Sequence, residues 1–271
     1  MAITIDLSGR VALVTGSATG LGASLALKLA QAGAHVILNY SRSAKEAEAT
    51  ADECRALGAQ VQVVQADVGE DADCRKLADA ASGLGRLDVL VNNAGITKQV
   101  PNHADLEGLS KDDFLRLYGV NVVGPFMIVR ACEKLLRASH ESTGVSASVL
   151  NVSSIAGVTG IGSSVAYAAS KGAFNTMTLS LARALAPAIR VNAICPGFIG
   201  TRWFKDYMGD EKYSDFEDTV RNATPLRLAS SPDDIADAGF FFLTDSAAHI
   251  TGETLMVDAG THLGFAPLTA R

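Results

Sequence analysis

Tyr167 and Lys171 stand four residues apart in the run Tyr-Ala-Ala-Ser-Lys. On a helix that spacing puts both side chains on one face, where an ammonium can sit beside a phenol. A free tyrosine titrates near pH ~10, and a neighbouring cation favours its phenolate. The pair therefore predicts a phenol tuned toward neutrality, able to give a proton to an oxygen or take one from it. Alone, the same two residues also describe an ordinary solvated helix face. Their weight comes from a serine pair upstream, Ser153-Ser154, and from a glycine-rich turn, Thr15-Gly16-Ser17-Ala18-Thr19-Gly20-Leu21-Gly22, early in the chain.

Such a turn, between a strand and a helix, lets a pyrophosphate approach the helix N-terminus, where free amide groups and the helix dipole favour an anion. The spacing is G-x-x-x-G-x-G rather than G-x-G-x-x-G, and a purely structural corner is the other reading.

The elements that must position these groups follow from the apolar pattern. Short apolar runs bounded by glycine alternate with longer segments of helical period, which predicts an α/β chain. Strands are expected at 11–15, 35–39, 60–65, 87–91, 148–152, 190–194 and 254–257, and helices at 21–32, 44–57, 72–82, 111–139, 164–185 and 233–244. Right-handed crossovers between them build a single-domain Rossmann fold over residues 1–271, a doubly wound, seven-stranded parallel sheet with helices on both faces. No repeat or low-complexity linker divides it. Residues 200–228 break the rhythm, gathering Trp203, Phe204, Tyr207, Met208, Tyr213 and Phe216 among many charges beyond a strand's carboxyl end. A substrate lid and a plain amphipathic surface helix both fit that stretch.

Composition narrows the partner. With 48% hydrophobic and 19% charged residues the chain has ample material for one core, and a net charge of −6 without a basic block gives a nucleic acid or an anionic membrane no electrostatic footing. A small-molecule partner is expected. Cys54, Cys74, Cys132 and Cys195 lack metal-ligand or disulfide spacing, and His35, His103, His140, His249 and His262 fit no triad or metal motif, so no metal is expected. The first ten residues do not read as a signal sequence, and no stretch reaches the about 18 apolar residues of a membrane span, so a cytoplasmic location is the expectation.

With Asn92-Asn93-Ala94-Gly95 after the fourth strand, Asn121 and Pro196-Gly197, the motifs occur in the order found in short-chain dehydrogenases/reductases. The chain resembles that family, in its carbonyl reductase-like and 3-oxoacyl reductase-like branch, over nearly its whole length. The resemblance implies that Gly16, Ala18, Thr19, Gly20, Leu21 and Gly22 cradle a dinucleotide, that Asp67 and Val68 bracket its adenine, and that Asn93, Ala94 and Gly95 line it. It further implies that Pro196, Gly197, Ile199 and Thr201 hold the nicotinamide carboxamide. At the end of the second strand, Tyr40, Ser41 and Arg42 supply no carboxylate to repel a 2′-phosphate and one cation to hold it, which favours NADP(H) and leaves NAD(H) open.

By the same resemblance Tyr167 is the general acid or base, Lys171 binds the nicotinamide ribose and lowers the tyrosine's pKa, and Ser154 bonds the substrate oxygen while Ser153 faces the sheet. Asn121 would hold a water linking Lys171 to solvent. The implied reaction is hydride transfer between nicotinamide and a small ketone or secondary alcohol, with Ser154, Ile155, Val158, Ile161, Trp203 and Phe204 around the substrate. A 3-oxoacyl group on acyl-carrier protein is the alternative, but the segment Arg137 to Gly144 carries little positive charge for so acidic a partner. A non-catalytic dinucleotide sensor is the reading from another class. The long apolar helices 111–139 and 164–185, paired across twofold axes in relatives, imply a homotetramer.

Overall fold

The computed structural model describes residues 5–100, 102–201 and 209–264. Seven parallel strands form one sheet: β1 (Val11–Val14), β2 (His35–Tyr40), β3 (Val61–Gln65), β4 (Val89–Asn92), β5 (Ala147–Val152), β6 (Ile189–Pro196) and β7 (Thr254–Val257). Their order is β3-β2-β1-β4-β5-β6-β7. β1, β4, β5 and β6 are buried at every residue, as strands covered on both faces must be. The strand order reverses between β1 and β4, so the loops leaving their carboxyl ends diverge and open a crevice there.

The helices supply the two covers. On one face, α1 (Gly20–Gln31) and α2 (Ala44–Ala56) turn Leu25, Leu29, Ala51 and Cys54 onto Val14, Val36 and Leu38. On the other, α3 (Asp71–Ser82) brings Cys74 and Leu77 toward Leu13, Ile37 and Leu90. The next helical stretch is expected as one helix over 111–139, and it differs. It consists of α4 (Lys111–Tyr118), a π-helical turn at Gly119–Val123, and α5 (Gly124–Thr143). Pro125 explains part of the break, because it has no N–H to return to the carbonyl of Asn121, and the ladder widens locally. An 18-residue window within Lys111–Thr143 reaches a mean hydropathy of 1.2, enough by length and composition to pass for a membrane span. Ile128, Cys132 and Leu136 instead bury themselves against the sheet.

After β5 comes α6 (Ala156–Thr159), four residues that the apolar period does not signal, and then α7 (Val165–Leu185), capped by the Ser164 hydroxyl accepting from the Tyr167 amide. Beyond β6 lie α8 (Asp210–Ala223) and α9 (Pro232–Leu243), the latter opened by a reciprocal Ser231–Asp234 capping box. Ile235 and Phe242 of α9 complete the face covered by α1.

Candidate active site

The turn after β1 is fixed from two directions, by the segment after β4 and by β2. Thr15 Oγ1 accepts from the amides of Asn93 and Ala94 at 3.0 and 3.1 Å, and Asn93 Nδ2 donates to the carbonyls of Thr15 and Gly16 at 3.0 and 2.9 Å. From β2, Asn39 Oδ1 accepts from the Gly16 amide at 3.0 Å. This close approach is why two of the glycines are required. A Cβ on Gly16 would lie 2.9 Å from Ala94 Cα, and one on Gly22 would lie 2.5 Å from Asn93 Nδ2 and from the Gly16 carbonyl oxygen. Gly16 and Gly20 also adopt φ of +62° and +59°, a region that other residues enter at a cost. Thr19 caps α1 without a side-chain bond to its first turn, which leaves amide donors at the helix N-terminus facing the crevice.

A cleft of about 430 Å³ adjoins this turn, lined on one side by Gly16, Ser41 and Arg42 and on the other by Asp67, Val68 and Asn93 to Gly95. Arg42 is exposed, and among the described residues no carboxylate pairs with it, whereas Arg55, Arg75, Arg86, Arg130, Arg137 and Arg221 each hold one. Asp67 turns Oδ1 back to the amide of Gly69 at 2.9 Å. Asn39, Ile96, Arg116 and Val120 also line this space or fix it, and sequence reasoning gave them no role. The four-residue interval between Arg116 and Val120, ending one residue before Asn121, was the available signal for the last two.

The reacting half lies where β5, β6 and α7 meet. Ser154, just past β5, accepts from the Ala156 amide at 3.2 Å and is hydrogen-bonded by its side chain to the Tyr167 phenol. Ser153 turns inward, donating to the Lys171 carbonyl at 3.3 Å, as expected for the member of the pair that faces the sheet. Lys171 is 4% exposed; its Nζ donates to the Val152 carbonyl at 2.8 Å and lies 5.8 Å from the centre of the Tyr167 ring and 5.4 Å from that of Phe174. Gly95 completes the wall, a Cβ there falling 3.7 Å from Lys171 Nζ and 3.3 Å from Asn121 Oδ1.

Asn121, 1% exposed in the π turn, uses its carboxamide on its neighbours. Oδ1 accepts from the Ile96 amide at 2.9 Å, and Nδ2 donates to the Ile96 carbonyl at 3.0 Å and to Ser170 Oγ at 3.1 Å. It thereby joins the loop after β4 to α7, the helix that carries Tyr167 and Lys171.

One electrostatic expectation is corrected. Burial raises the Tyr167 phenol above its ordinary value, an effect that the Ser154 hydrogen bond opposes without overcoming. Lys171 has no carboxylate partner among the described residues and is itself pushed by burial from 10.5 down to about 8. Burial of the phenol itself is the largest effect, and the neighbouring Cys195 adds to it. The chain by itself holds Tyr167 protonated.

On the far side of the crevice, the segment leaving β6 runs back toward the glycine turn. Gly197 packs so closely on Asp258 that a Cβ would approach Asp258 Cβ to 2.7 Å, Ile199 rests on the core beneath α1, and Thr201 Cγ2 lies 3.4 Å from where a Cβ of Gly20 would stand. Ile155 is half-buried, whereas Val158 and Ile161 are 55% and 73% exposed, an apolar rim beside Tyr167. Trp203 and Phe204, expected to join them, lie outside the described residues. From the stretch 200–228, Tyr213 and Phe216 of α8 pack on Phe198, with ring centres 6.5 and 5.6 Å apart.

A family model described as enoyl-(acyl carrier protein) reductase matches residues 16–262. The chain is 42% identical, over 93% of its length and 96% of the relative's, to the protein named "Granaticin polyketide synthase putative ketoacyl reductase 2" of Streptomyces violaceoruber. Among solved structures it is similar to "a putative short-chain dehydrogenase/reductase from Burkholderia xenovorans", with 43% identity, a TM-score of 0.86, and coverage of 94% of this chain and 98% of the other. The RhlG/NADP active-site complex of Pseudomonas aeruginosa also superposes, with a TM-score of 0.86, 31% identity, and coverage of 97% and 100%.

Proposed function

The chain belongs to the short-chain dehydrogenase/reductase family of oxidoreductases, and from that premise we propose that it is an NADP(H)-dependent reductase of ketones with an apolar body, able to run in reverse on the secondary alcohol. The observation that carries this reading is the Tyr167 phenol, bonded to Ser154 and overlaid by the Lys171 ammonium, at the edge of a glycine-lined cleft.

The residues fit a dinucleotide. Gly16 and Gly22 leave a cradle that any Cβ would fill, the start of α1 offers amide donors to a pyrophosphate, and Asp67 and Val68 border the space for an adenine. Arg42, exposed and without a carboxylate among the described residues, would hold a 2′-phosphate, and the similarity to an NADP complex supports that choice. Pro196, Gly197, Ile199 and Thr201 would hold the nicotinamide end, and Lys171 Nζ, facing Gly95, would bond its ribose.

When bound, the cofactor supplies the hydride. The chain supplies the rest. Ser154 donates to the carbonyl oxygen and orients it; Tyr167, kept protonated by burial, gives its proton to that oxygen as charge develops there. Asn121 holds the Ile96 loop and α7 in register, and in the family pattern would also position a water through which Lys171 and Tyr167 regain the proton.

Val158 and Ile161 offer an apolar surface to the body of the substrate, and residues 200–228 would close over it as a lid. A free ketone is favoured over a carrier-bound acyl group, because the α5 arginines that could meet an acidic carrier are already paired, Arg130 with Asp71 and Arg137 with Glu133.

The test is a panel of ketones, polyketide-derived ones included, followed by loss of NADPH absorbance. Turnover is expected for the native chain, and Tyr167→Phe should lower kcat by roughly 10²- to 10⁴-fold while NADPH affinity changes little. Tight NADPH binding with no turnover across the panel would favour a dinucleotide sensor instead.

A further inference from the structure

The loop between α6 and α7 touches the reacting tyrosine, yet neither helix holds the backbone of Gly162 by a hydrogen bond among the described residues. Gly160 leaves α6 at φ +74°, and among the described residues the Ile161 amide is bonded only to Thr159 Oγ1, at 3.1 Å. Gly162 then runs so close to the site that a Cβ there would lie 2.7 Å from Ala156 Cβ and 3.4 Å from Tyr167 Cδ1. The next residue but one, Ser164, already caps α7. The position of the Gly162 backbone therefore limits where the phenol ring can sit.

What holds this loop comes from the far side of the cleft, from the segment that follows Gly95. The Val100 amide donates to the Ser163 carbonyl at 2.7 Å, and the hydroxyls of Thr97 and Ser163 share a proton-mediated contact. His103 Nε2 meets the Gly162 carbonyl at 2.9 Å. A carbonyl can only accept, so the proton is on Nε2. Val100 and Thr97 fix residue 163; His103 fixes the residue that lies against Tyr167. The segment is anchored in turn, since Lys98 reaches Asp113 at 3.5 Å and Asp113 is part of the box capping α4.

We propose that His103 is a positioning residue for the reaction, its Nε2–H bond to the Gly162 carbonyl seating the 160–163 loop against the Tyr167 ring. The inference rests on Tyr167 being the proton donor. The bond is partly open to solvent, so losing it should affect stability little. A misplacement of about 1 Å at a reacting group can nonetheless slow a reaction by as much as 10²-fold. The effect should therefore appear in the rate rather than in folding or in cofactor binding.

Three variants decide it: His103→Ala, His103→Gln, whose amide donates from a similar reach, and Tyr167→Phe as reference. Hydrogen exchange of residues 160–163, NADPH affinity by titration, and kcat against KM across pH are measured on each. His103→Ala is expected to speed exchange at 160–163, leave NADPH affinity within about twofold, and lower kcat about tenfold, with the ketone KM less affected. His103→Gln should recover most of kcat and protection. Unchanged exchange in His103→Ala would show that the bond does not seat the loop, and faster exchange with full kcat would show that the loop does not position the tyrosine. A His103→Gln variant as impaired as His103→Ala, with one limb of the pH profile lost, would mean that the imidazole itself moves a proton. Each of these overturns the proposal, whereas an active Tyr167→Phe overturns the reading of the site on which it rests.

Discussion

Lys171 is charged, 4% exposed and, among the described residues, bonded through its ammonium only to the Val152 carbonyl, and its depressed pKa makes it a source of instability as well as of function. Below about pH 8 it is charged in both folded and unfolded chains, and the fold bears the full penalty of burying it. Between about 8 and 10.5 the unfolded chain keeps a proton that the folded chain has lost, so stability rises with pH across that window. Native protein should gain up to about 3 kcal/mol relative to Lys171→Met over this range, as denaturant titrations at several pH values would measure. The cost of leaving the Val152 carbonyl unpaired is the same at every pH and cancels in the comparison. A parallel pH dependence in both proteins would place the ammonium in water. Arg42 gives the second prediction at this scale. Arg42→Ala should raise KM for NADPH tenfold to a hundredfold and leave KM for NADH nearly unchanged, since a charge-assisted hydrogen bond contributes roughly 1.5–3 kcal/mol and only NADPH has the 2′-phosphate. Equal changes for the two cofactors would mean that the guanidinium points away.

At the scale of the elements, what was legible in the sequence was what a local pattern records. The apolar run at Thr254–Val257 marks β7 without error, and the ends of most other strands and helices shift by only one or two residues. Ser154, Tyr167 and Lys171 come together because a strand end and one helix face bring them there, and both can be read from spacing. The π turn at Gly119–Val123 escaped because the apolar rhythm continues across it, and α6 because four residues carry no period. The direction of the Tyr167 pKa shift was misread for a different reason. Spacing places two groups side by side, but burial, the largest cause of both shifts, is a property of every element packed around them. Asn39 and His103 act on backbone groups of Gly16 and Gly162, distant in the chain, so neither residue's own neighbourhood announces its part.

At the scale of the whole molecule, the exposed apolar side chains among the described residues include two areas away from the proposed substrate rim. One lies along α4, the π turn and α5, where Leu115, Val123 and Phe126 are 59%, 47% and 43% exposed. The other surrounds the edge strand β7, where Leu255 is 38% exposed and Leu179 of α7 is 50% exposed and approaches Gly252, on the loop leading into β7. An edge strand with apolar neighbours calls for cover, and closed assemblies supply it by repeating one patch across a twofold axis. Two such patches on different faces call for two axes, and two perpendicular twofolds generate four copies. The expected particle is therefore a homotetramer of the 28.1 kDa chain, measurable by light scattering at micromolar concentration. The two contacts should also separate. Phe126→Glu puts a charge into the first interface alone and should leave dimers held through β7, with the fold intact, because Phe126 faces outward and touches none of the residues proposed to react. A native chain that scatters as a single copy would show that neither patch is an interface; tetramers that persist in Phe126→Glu would place the assembly on other surfaces.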